Sequence, residues 1–486
     1  MLARLALLSF SALALTGLPL QAQIGAAEYA ARRDSLAARI DSGVVIAFGG
    51  RTPVADVGPF YQVPAFRYLT GYEYADAALI MVVRGGRGAG MLFVHRTAPR
   101  RSLYYGIEPD SADLARELGL PSRPAEDLAP AADSLAALGL PFYTLRDFAA
   151  ADFAQADSLT RGGAFMSALA GRHRGLAVRD AHPILDRLRA RKSPAELALI
   201  RKAAEVSAEG HHALMRGIAE GMHEYDLQAI VESAFLREGA ERPAYGSIVG
   251  SGPNGTLLHY MKNRRALRPG ELVVIDAGAE YRGYTADITR TLPVSGTFTP
   301  EQRALYQIVR DAEAAAERNS GPGMSIQAAQ DSSVDVRARG LARLGLIESA
   351  EATFDPPWPA DCVRTPRACR QVMLFAIHGI THGLGLEVHD PLQAYYDDRR
   401  FRPGDAFTIE PGIYVSLRQL DILPDTPRNR AFAAKVRAAV ERYQGTGIRI
   451  EDDYVITERG LAWISRVPRE IDEIEALIRQ RSAPIP

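Results

Sequence analysis

The sequence predicts an α/β protein in two unequal regions. Short apolar runs alternate with helical stretches in the first part, and helix pairs followed by strand pairs occur twice in the rest. A change of texture near residues 180–195 divides the two. In the first region, VVIAF (44–48), AALIMVV (77–83) and GMLFV (90–94) are strand-length apolar runs, and DLAPAADSLAALG has helical spacing. His95 and His173 stand alone there and read as structural or solvated. We expect this region to supply shape, partner contact or substrate gating.

The second region opens with Ser193-Pro194-Ala195-Glu196, which places a capping serine, a proline at the first helical position and a glutamate that can reach back to the cap. Leu197, Ile200, Ala204 and Ser207 follow at helical spacing and predict a face laid on a core. A second helix is predicted over 224–238, and Thr299-Pro300-Glu301-Gln302 repeats the capping logic ahead of Leu305, Ile308, Val309 and Ala312. Strands are predicted at 245–251, 271–278 and 285–294, then helices across 300–345 and strands at 405–415 and 447–457. This order suggests two related α/β halves around one sheet. Two stretches read as insertions: 351–371, which holds DPPWP and both cysteines, and 416–446, which ends in a basic helix-like run. Surface decoration is the preferred reading for them, with a cleft rim as the alternative.

Composition narrows the function. The chain has 486 residues, 57 Lys+Arg against 58 Asp+Glu, and 47% hydrophobic residues, which excludes a disordered, collagenous or disulfide-dense protein. A formal charge of -1 without a basic run argues against nucleic acid as a partner. Cys362 and Cys369 lack paired C-x-x-C spacing, so they form one local bridge or remain two thiols. At the N-terminus, Arg4, an apolar run from Leu5 to Leu18 and small residues around Ala22 read as a signal peptide cleaved after Ala22. That run is shorter than the ~20 residues that span a bilayer. A secreted or periplasmic protein without a stable membrane anchor is expected, in which a disulfide persists.

The chemistry lies in four acids and a histidine cluster. Asp276 ends the buried run LVVID, Asp287 follows the turn EYRGY, and Glu410 and Glu451 lie in FTIEPGIY and GIRIEDDY. A buried carboxylate without compensation costs several kcal/mol, so each must meet a cation, a donor network or water. The segment HGITHGLGLEVHD adds His378, His382 and His389, three of the chain's 10 histidines. Glycines at 379, 383 and 385 argue against a regular helix there and for a loop lining a site. Asp276, Asp287, His382, Glu410 and Glu451 form a set whose four negative charges balance two divalent cations. Oxygen-rich ligation favours Mn²⁺, with Zn²⁺ or Co²⁺ also able to bind. Two such ions, roughly 3.5 Å apart, can hold a bridging water and stabilise an oxyanion, which is the chemistry of amide hydrolysis.

The segments SGPNGTLLHY, VVIDAGAEYRGYTADITRT, HGITHGLGLEVHD, TIEPGIY and GIRIEDDY, in this order, resemble the pita-bread metallopeptidases, the Xaa-Pro aminopeptidases (aminopeptidase P) above all, with prolidases nearby. The resemblance covers nearly all of 185–475, and FRYLTGY (66–72) resembles that group's creatinase-like N-terminal domain. After the signal peptide read at 1–22, it implies a creatinase-like α/β domain at 23–185 and a pita-bread catalytic domain of two related halves at 186–486. It further implies that Asp276 binds one metal, that Asp287 and Glu451 bridge both, and that His382 and Glu410 complete the other. Glu410 would carry a proton to the leaving proline nitrogen. His259 and His389 would donate to the substrate carbonyl and its oxyanion, and His378 would line a proline pocket. Arg449 would bind a substrate carboxylate or, as the alternative, pair with a metal carboxylate. The implied activity is hydrolysis of the bond between an N-terminal residue and a following proline by attack of a metal-bridging hydroxide, in a homodimer. A prolidase restricted to dipeptides is the rival, and an inactive binding protein of the same fold is the alternative from another class. One departure is Arg67, where relatives often carry an aromatic residue that can reach a neighbouring subunit's cleft.

Overall fold

The computed structural model describes residues 23–53, 58–96, 99–106, 109–145, 161–391 and 398–480. The candidate signal segment 1–22 lies outside them. The first region carries a six-stranded sheet in the order Ser122–Pro124, Arg87–Val94, Ala78–Arg84, Ser42–Phe48, Phe142–Thr144, Val178–Asp180. Its central strand, Ser42–Phe48, pairs antiparallel with Ala78–Arg84 and parallel with Phe142–Thr144. Both faces are covered, which is why these strands read as continuous apolar runs. Val44, Ile46 and Phe48 pack with Leu128, Ala132 and Phe142 on one side. Val45 and Ala47 turn to the other, into a core that also holds Leu36, Phe66, Leu199, Ala203, Tyr284, Leu384 and Val455. The first region therefore shares one of its two cores with the second.

The helix His182–Ala190 leads into Lys192 and the capped helix Pro194–Gly217, and the expected boundary between residues 185 and 186 falls inside the former. Ser193 caps as predicted: its Oγ accepts from Glu196 N at 3.1 Å and its N–H donates to Glu196 Oε2 at 2.8 Å. Thr299 and Gln302 form the same box at the start of Pro300–Arg318. Two helix pairs result, Pro194–Gly217 with Glu224–Arg237 and Pro300–Arg318 with Ile326–Arg343. The expected single sheet is instead divided. Thr289–Pro293, Leu272–Asp276 and Ile248–Ser251 form one small sheet; Ala406–Ile409, Asp452–Thr457 and Gly460–Trp463 form another; Gly412–Val415 pairs with Thr446–Arg449. The predicted strands 405–415 and 447–457 each break, at 410–411 and at 450–451. Pro411 has no N–H to donate to a ladder, so a break there follows from its chemistry. Isolated bridges between Thr289 and Glu451 and between Gly383 and Phe407 stitch the pieces together.

Cys362 and Cys369 are joined as a disulfide, which resolves the sequence alternative. The two insertions pack on each other: Asp355 meets Thr426 Oγ1 at 2.5 Å and Arg428 Nη1 at 2.7 Å, and Asn429 Nδ2 donates to Asp355 O at 2.9 Å. Among the described residues, no helix is long and apolar enough to cross a membrane.

Candidate metal centre

Each candidate ligand sits where a strand ends or breaks. Asp276 is the last residue of Leu272–Asp276, Asp287 lies just before Thr289–Pro293, Glu410 follows Ala406–Ile409, and Glu451 precedes Asp452–Thr457. Leaving the ladder frees these side chains to turn inward, while backbone bonds nearby fix their origin. Thr289 N donates to Glu451 O at 3.3 Å and Glu451 N to Thr289 O at 3.1 Å, which joins the two halves at the site. Thr408 N donates to His382 O at 2.9 Å, seating the histidine loop against the strand that leads to Glu410.

His382 is the hub. Its Nε2 lies 3.5 Å from Asp287 Oδ2, 3.6 Å from Glu451 Oε1 and 3.7 Å from Glu410 Oε1. Asp287, His382 and Glu451 present one donor atom each within 4.8 Å of one another. Asp276 joins through Tyr245, whose hydroxyl is 2.5 Å from Asp276 Oδ1 and 2.5 Å from Asp287 Oδ1. Arg449 pairs with Asp276 Oδ2 at 2.5 Å, donates to Tyr414 OH at 2.8 Å and reaches Thr289 Oγ1 at 3.1 Å. Arg449 is thus paired with the carboxylate of a candidate ligand.

The electrostatics are those of an under-compensated acid cluster. Burial, then the charges of Glu451 and Asp276, push the Asp287 carboxyl well above its usual range. Burial and Glu451 do the same to Glu410. Burial alone would lower His382, yet the carboxylates of Asp287 and Glu451 beside it and the charge of Glu410 hold it well above an ordinary imidazole. Four carboxylates thus face one guanidinium and one imidazole. Glu451 Oε1 is buried without a hydrogen-bond partner, while Oε2 accepts from Thr289 Oγ1 at 2.7 Å. Oxygen-rich donors, an orphaned carboxylate oxygen and a deficit of positive charge fit a divalent cation.

The outer residues border the same cleft. His378 Nε2 lies 2.8 Å from Tyr414 OH, and its Nδ1 is 3.4 Å from Glu410 Oε2. The His389 ring centroid is 4.2 Å from that of His382. Exposed His259 is near enough for its charge to act on both His378 and His389. Burial, with Arg449 and Arg337 behind it, lowers His378 to about 3; burial, with His382 and His259, lowers His389 to about 4. Both rings are neutral at pH 7. The residue after His389 is gripped from behind: Arg189 Nη2 pairs with Asp390 Oδ2 at 2.9 Å and with Glu387 Oε2 at 2.6 Å, and Lys192 Nζ donates to Asp390 O at 2.6 Å.

All nine sequence-predicted site residues are brought together, and several others escaped that reading. Tyr245 and Tyr414 lie in runs read only as strands, and a tyrosine in such a run reads as core until its hydroxyl finds a partner. Asp453, in the run of three acids at 451–453, accepts from Asp287 N at 3.2 Å. Arg67 pairs with Glu73 at 2.5 Å and lines a separate cavity of about 760 Å³ with Arg242 and Glu280, away from every cradle residue.

Residues 198–458 match the model of metallopeptidase family M24, and residues 29–137 that of the aminopeptidase P N-terminal domain. The chain is 32% identical to the Xaa-Pro aminopeptidase of Escherichia coli (strain K12), over 94% of this chain and 98% of that one. It is 30% identical to Xaa-Pro aminopeptidase 1 of Streptomyces coelicolor, over 93% of this chain and 86% of the relative. Among solved structures, proline aminopeptidase P II from Yersinia pestis superposes with a TM-score of 0.76 at 33% identity, covering 94% of this chain and 100% of that one. Zinc-substituted E. coli aminopeptidase P in complex with product gives 0.75 at 30% identity, covering 95% and 100%. A buried acid cradle that asks for cations, on a fold shared from end to end with these enzymes, makes this chain a member of metallopeptidase family M24.

Proposed function

We propose that the protein removes the N-terminal residue from peptides whose second residue is proline. Two divalent ions, Mn²⁺ foremost, would be held by Asp276, Asp287, His382, Glu410 and Glu451. The observation that carries this reading is the convergence of Asp287, His382 and Glu451, with Glu410 beside His382, Asp276 joined through Tyr245, and Glu451 Oε1 without a hydrogen-bond partner. When bound, the ions supply positive charge that lowers the pKa of water and polarises a carbonyl oxygen. Glu410, at the mouth of the cradle, takes a proton and delivers it to the proline nitrogen as the peptide bond breaks. Neutral His389 donates a ring N–H to the carbonyl oxygen, and His259 faces the same oxygen from the open side. His378 and Tyr414 wall the proline ring, and Arg449 holds both Asp276 and Tyr414 in place.

The test is hydrolysis of Gly-Pro and of a longer Xaa-Pro peptide by metal-stripped protein with Mn²⁺, Zn²⁺ or Co²⁺ restored. Cleavage of the longer peptide supports the aminopeptidase; cleavage of the dipeptide alone makes the enzyme a prolidase. No metal-dependent cleavage of either defeats both. We also propose export with loss of residues 1–22, a reading supported by Arg4 and its apolar run and in keeping with the Cys362–Cys369 bridge. Mass spectrometry of the mature N-terminus tests it. A homodimer is proposed by analogy with the family, and sedimentation as a monomer at micromolar concentration would remove it.

A further inference from the structure

A pocket of about 470 Å³ is lined from both insertions. Trp358 comes from the first insertion, Ile422 from the second, and Leu257, Leu374 and Ile377 complete its apolar lining. Four of these side chains, Leu257, Trp358, Ile377 and Ile422, are each more than a third exposed. Apolar surface gathered in a concavity of this size is the usual form of a ligand subsite.

The pocket is built. The Trp358 ring packs edge-on against Phe354 at 5.8 Å, and Phe354 lies 6.5 Å from Phe432 in the helix Pro427–Arg442. Asp355, three residues before Trp358, is held by Thr426, Arg428 and the side chain of Asn429. Gln419 Nε2 donates to Leu374 O at 2.6 Å, tying the second insertion to the pocket floor. The Cys362–Cys369 disulfide closes the loop that follows Trp358. Trp358 of the first insertion and Ser416, Arg418, Gln419 and Ile422 of the second therefore line one concavity, as the cleft-rim alternative requires.

The pocket's lining is also tied to the site along the chain. Ile377 immediately precedes His378, whose ring contacts Tyr414 and faces Glu410. Leu257 lies two residues before His259. Ser416, on its rim, directly follows the strand Gly412–Val415 that carries Tyr414. A peptide whose proline rests against the hydrogen-bonded pair His378 and Tyr414 continues past that pair, and the lining residues Ile377 and Ser416 are chain neighbours of the segments that carry it. We propose that the two insertions form a subsite for the residue after proline, selecting an apolar side chain there and so favouring peptides of three or more residues. The proposal rests on Xaa-Pro hydrolysis at the candidate metal centre.

The experiment compares kcat/KM for Gly-Pro-Leu-Ala and Gly-Pro-Gly-Ala with the Mn²⁺-loaded mature enzyme, its Trp358→Ala variant and its Ile422→Ser variant. An apolar side chain in a fitted pocket is worth about tenfold or more in kcat/KM, so the wild type should favour the leucine peptide by at least that factor. Both variants should bring the ratio down to about twofold or less. Because the ratio is taken within one preparation, loss of folded enzyme cancels, and the exposed Ile422 guards against a Trp358 change that loosens the loop. A wild-type ratio near one, or a ratio unmoved in both variants, overturns the subsite while the peptidase reading stands. Failure of the wild type to cleave either tetrapeptide or Gly-Pro defeats the peptidase reading, and the subsite falls with it.

Discussion

Glu451 and Asp452 are neighbours in the chain, yet they face opposite sides of the structure and meet opposite fates. On one side, Glu451 joins Asp276, Asp287 and Glu410, four acids whose cationic partners among the described residues are Arg449 and a His382 held protonated by them. On the other, Asp452 accepts from Arg290 Nη2 at 2.7 Å and Arg469 Nη1 at 3.2 Å. Glu313 and Glu317 share that second cluster, served by Arg310 and Arg469. With Glu470 on Arg310, four acids there meet three guanidinium groups, and Arg290 and Arg469 draw the Asp452 carboxyl below its usual range against the opposing effect of burial. Burial of an acid thus says little about its role. What marks the functional cluster is the counter-charge it lacks.

The comparison breaks or sharpens under substitution, and the largest effect is expected in the cradle. Glu410→Ala should lower kcat by about a thousandfold or more, since it removes a proton carrier and a ligand together. Its thermal midpoint should not fall, because relief of like-charge repulsion offsets the lost contacts; a collapse in stability with full turnover per folded molecule would reverse the assignment. Arg290→Met should do the opposite. It leaves a fully buried Asp452 with Arg469 as its remaining cation and should cost about 3 kcal/mol in urea unfolding. Adding Asp452→Leu to that variant should recover much of the loss, and no recovery would mean that the pair is not the unit we describe.

A third kind of buried group sharpens the contrast. His211 has its Nε2 3.0 Å from Ala277 O and its Nδ1 without a partner, and burial lowers it to about 4. The unfolded chain binds the extra proton between about pH 6.5 and 4, so stability is complete above 6.5 and falls by about 3 kcal/mol as the pH drops through that window. His211→Gln should flatten this slope, read as the urea midpoint against pH. The smallest effect is expected at the exposed Arg442–Glu301 bridge, 2.7 Å long. Arg442→Ala should leave the midpoint unchanged within error, because solvent screens such pairs.

The sequence was most legible where a few adjacent residues decide the structure. Ser193 through Glu196 and Thr299 through Gln302 each carry a whole capping box, and both helices begin there. The ligand set was legible because acids in β-branched runs are anomalous one by one. Strand breaks at Glu410 and Glu451 were less so, since apolar alternation resumes on both sides of each and only Pro411 signals a gap. Tyr245, Arg290 and Arg189 were illegible for a different reason. Their partners lie 31, 162 and 201 residues away or nearly so, and no local pattern in the chain encodes a pairing of that reach.

The grip of Arg189 and Lys192 on Asp390 limits how this protein can be recombined. A graft that swaps in another N-terminal region at the change of texture, or an excision that begins the chain at the capped helix, discards both cations. Asp390 would then sit buried and bare beside His389, and the loop that carries the histidines would lose its anchor. Any viable chimera has to bring residues 182–192 along with the second region, so the heritable module is larger than its apparent border, with its first essential piece lying outside the span 198–458 that matches the family.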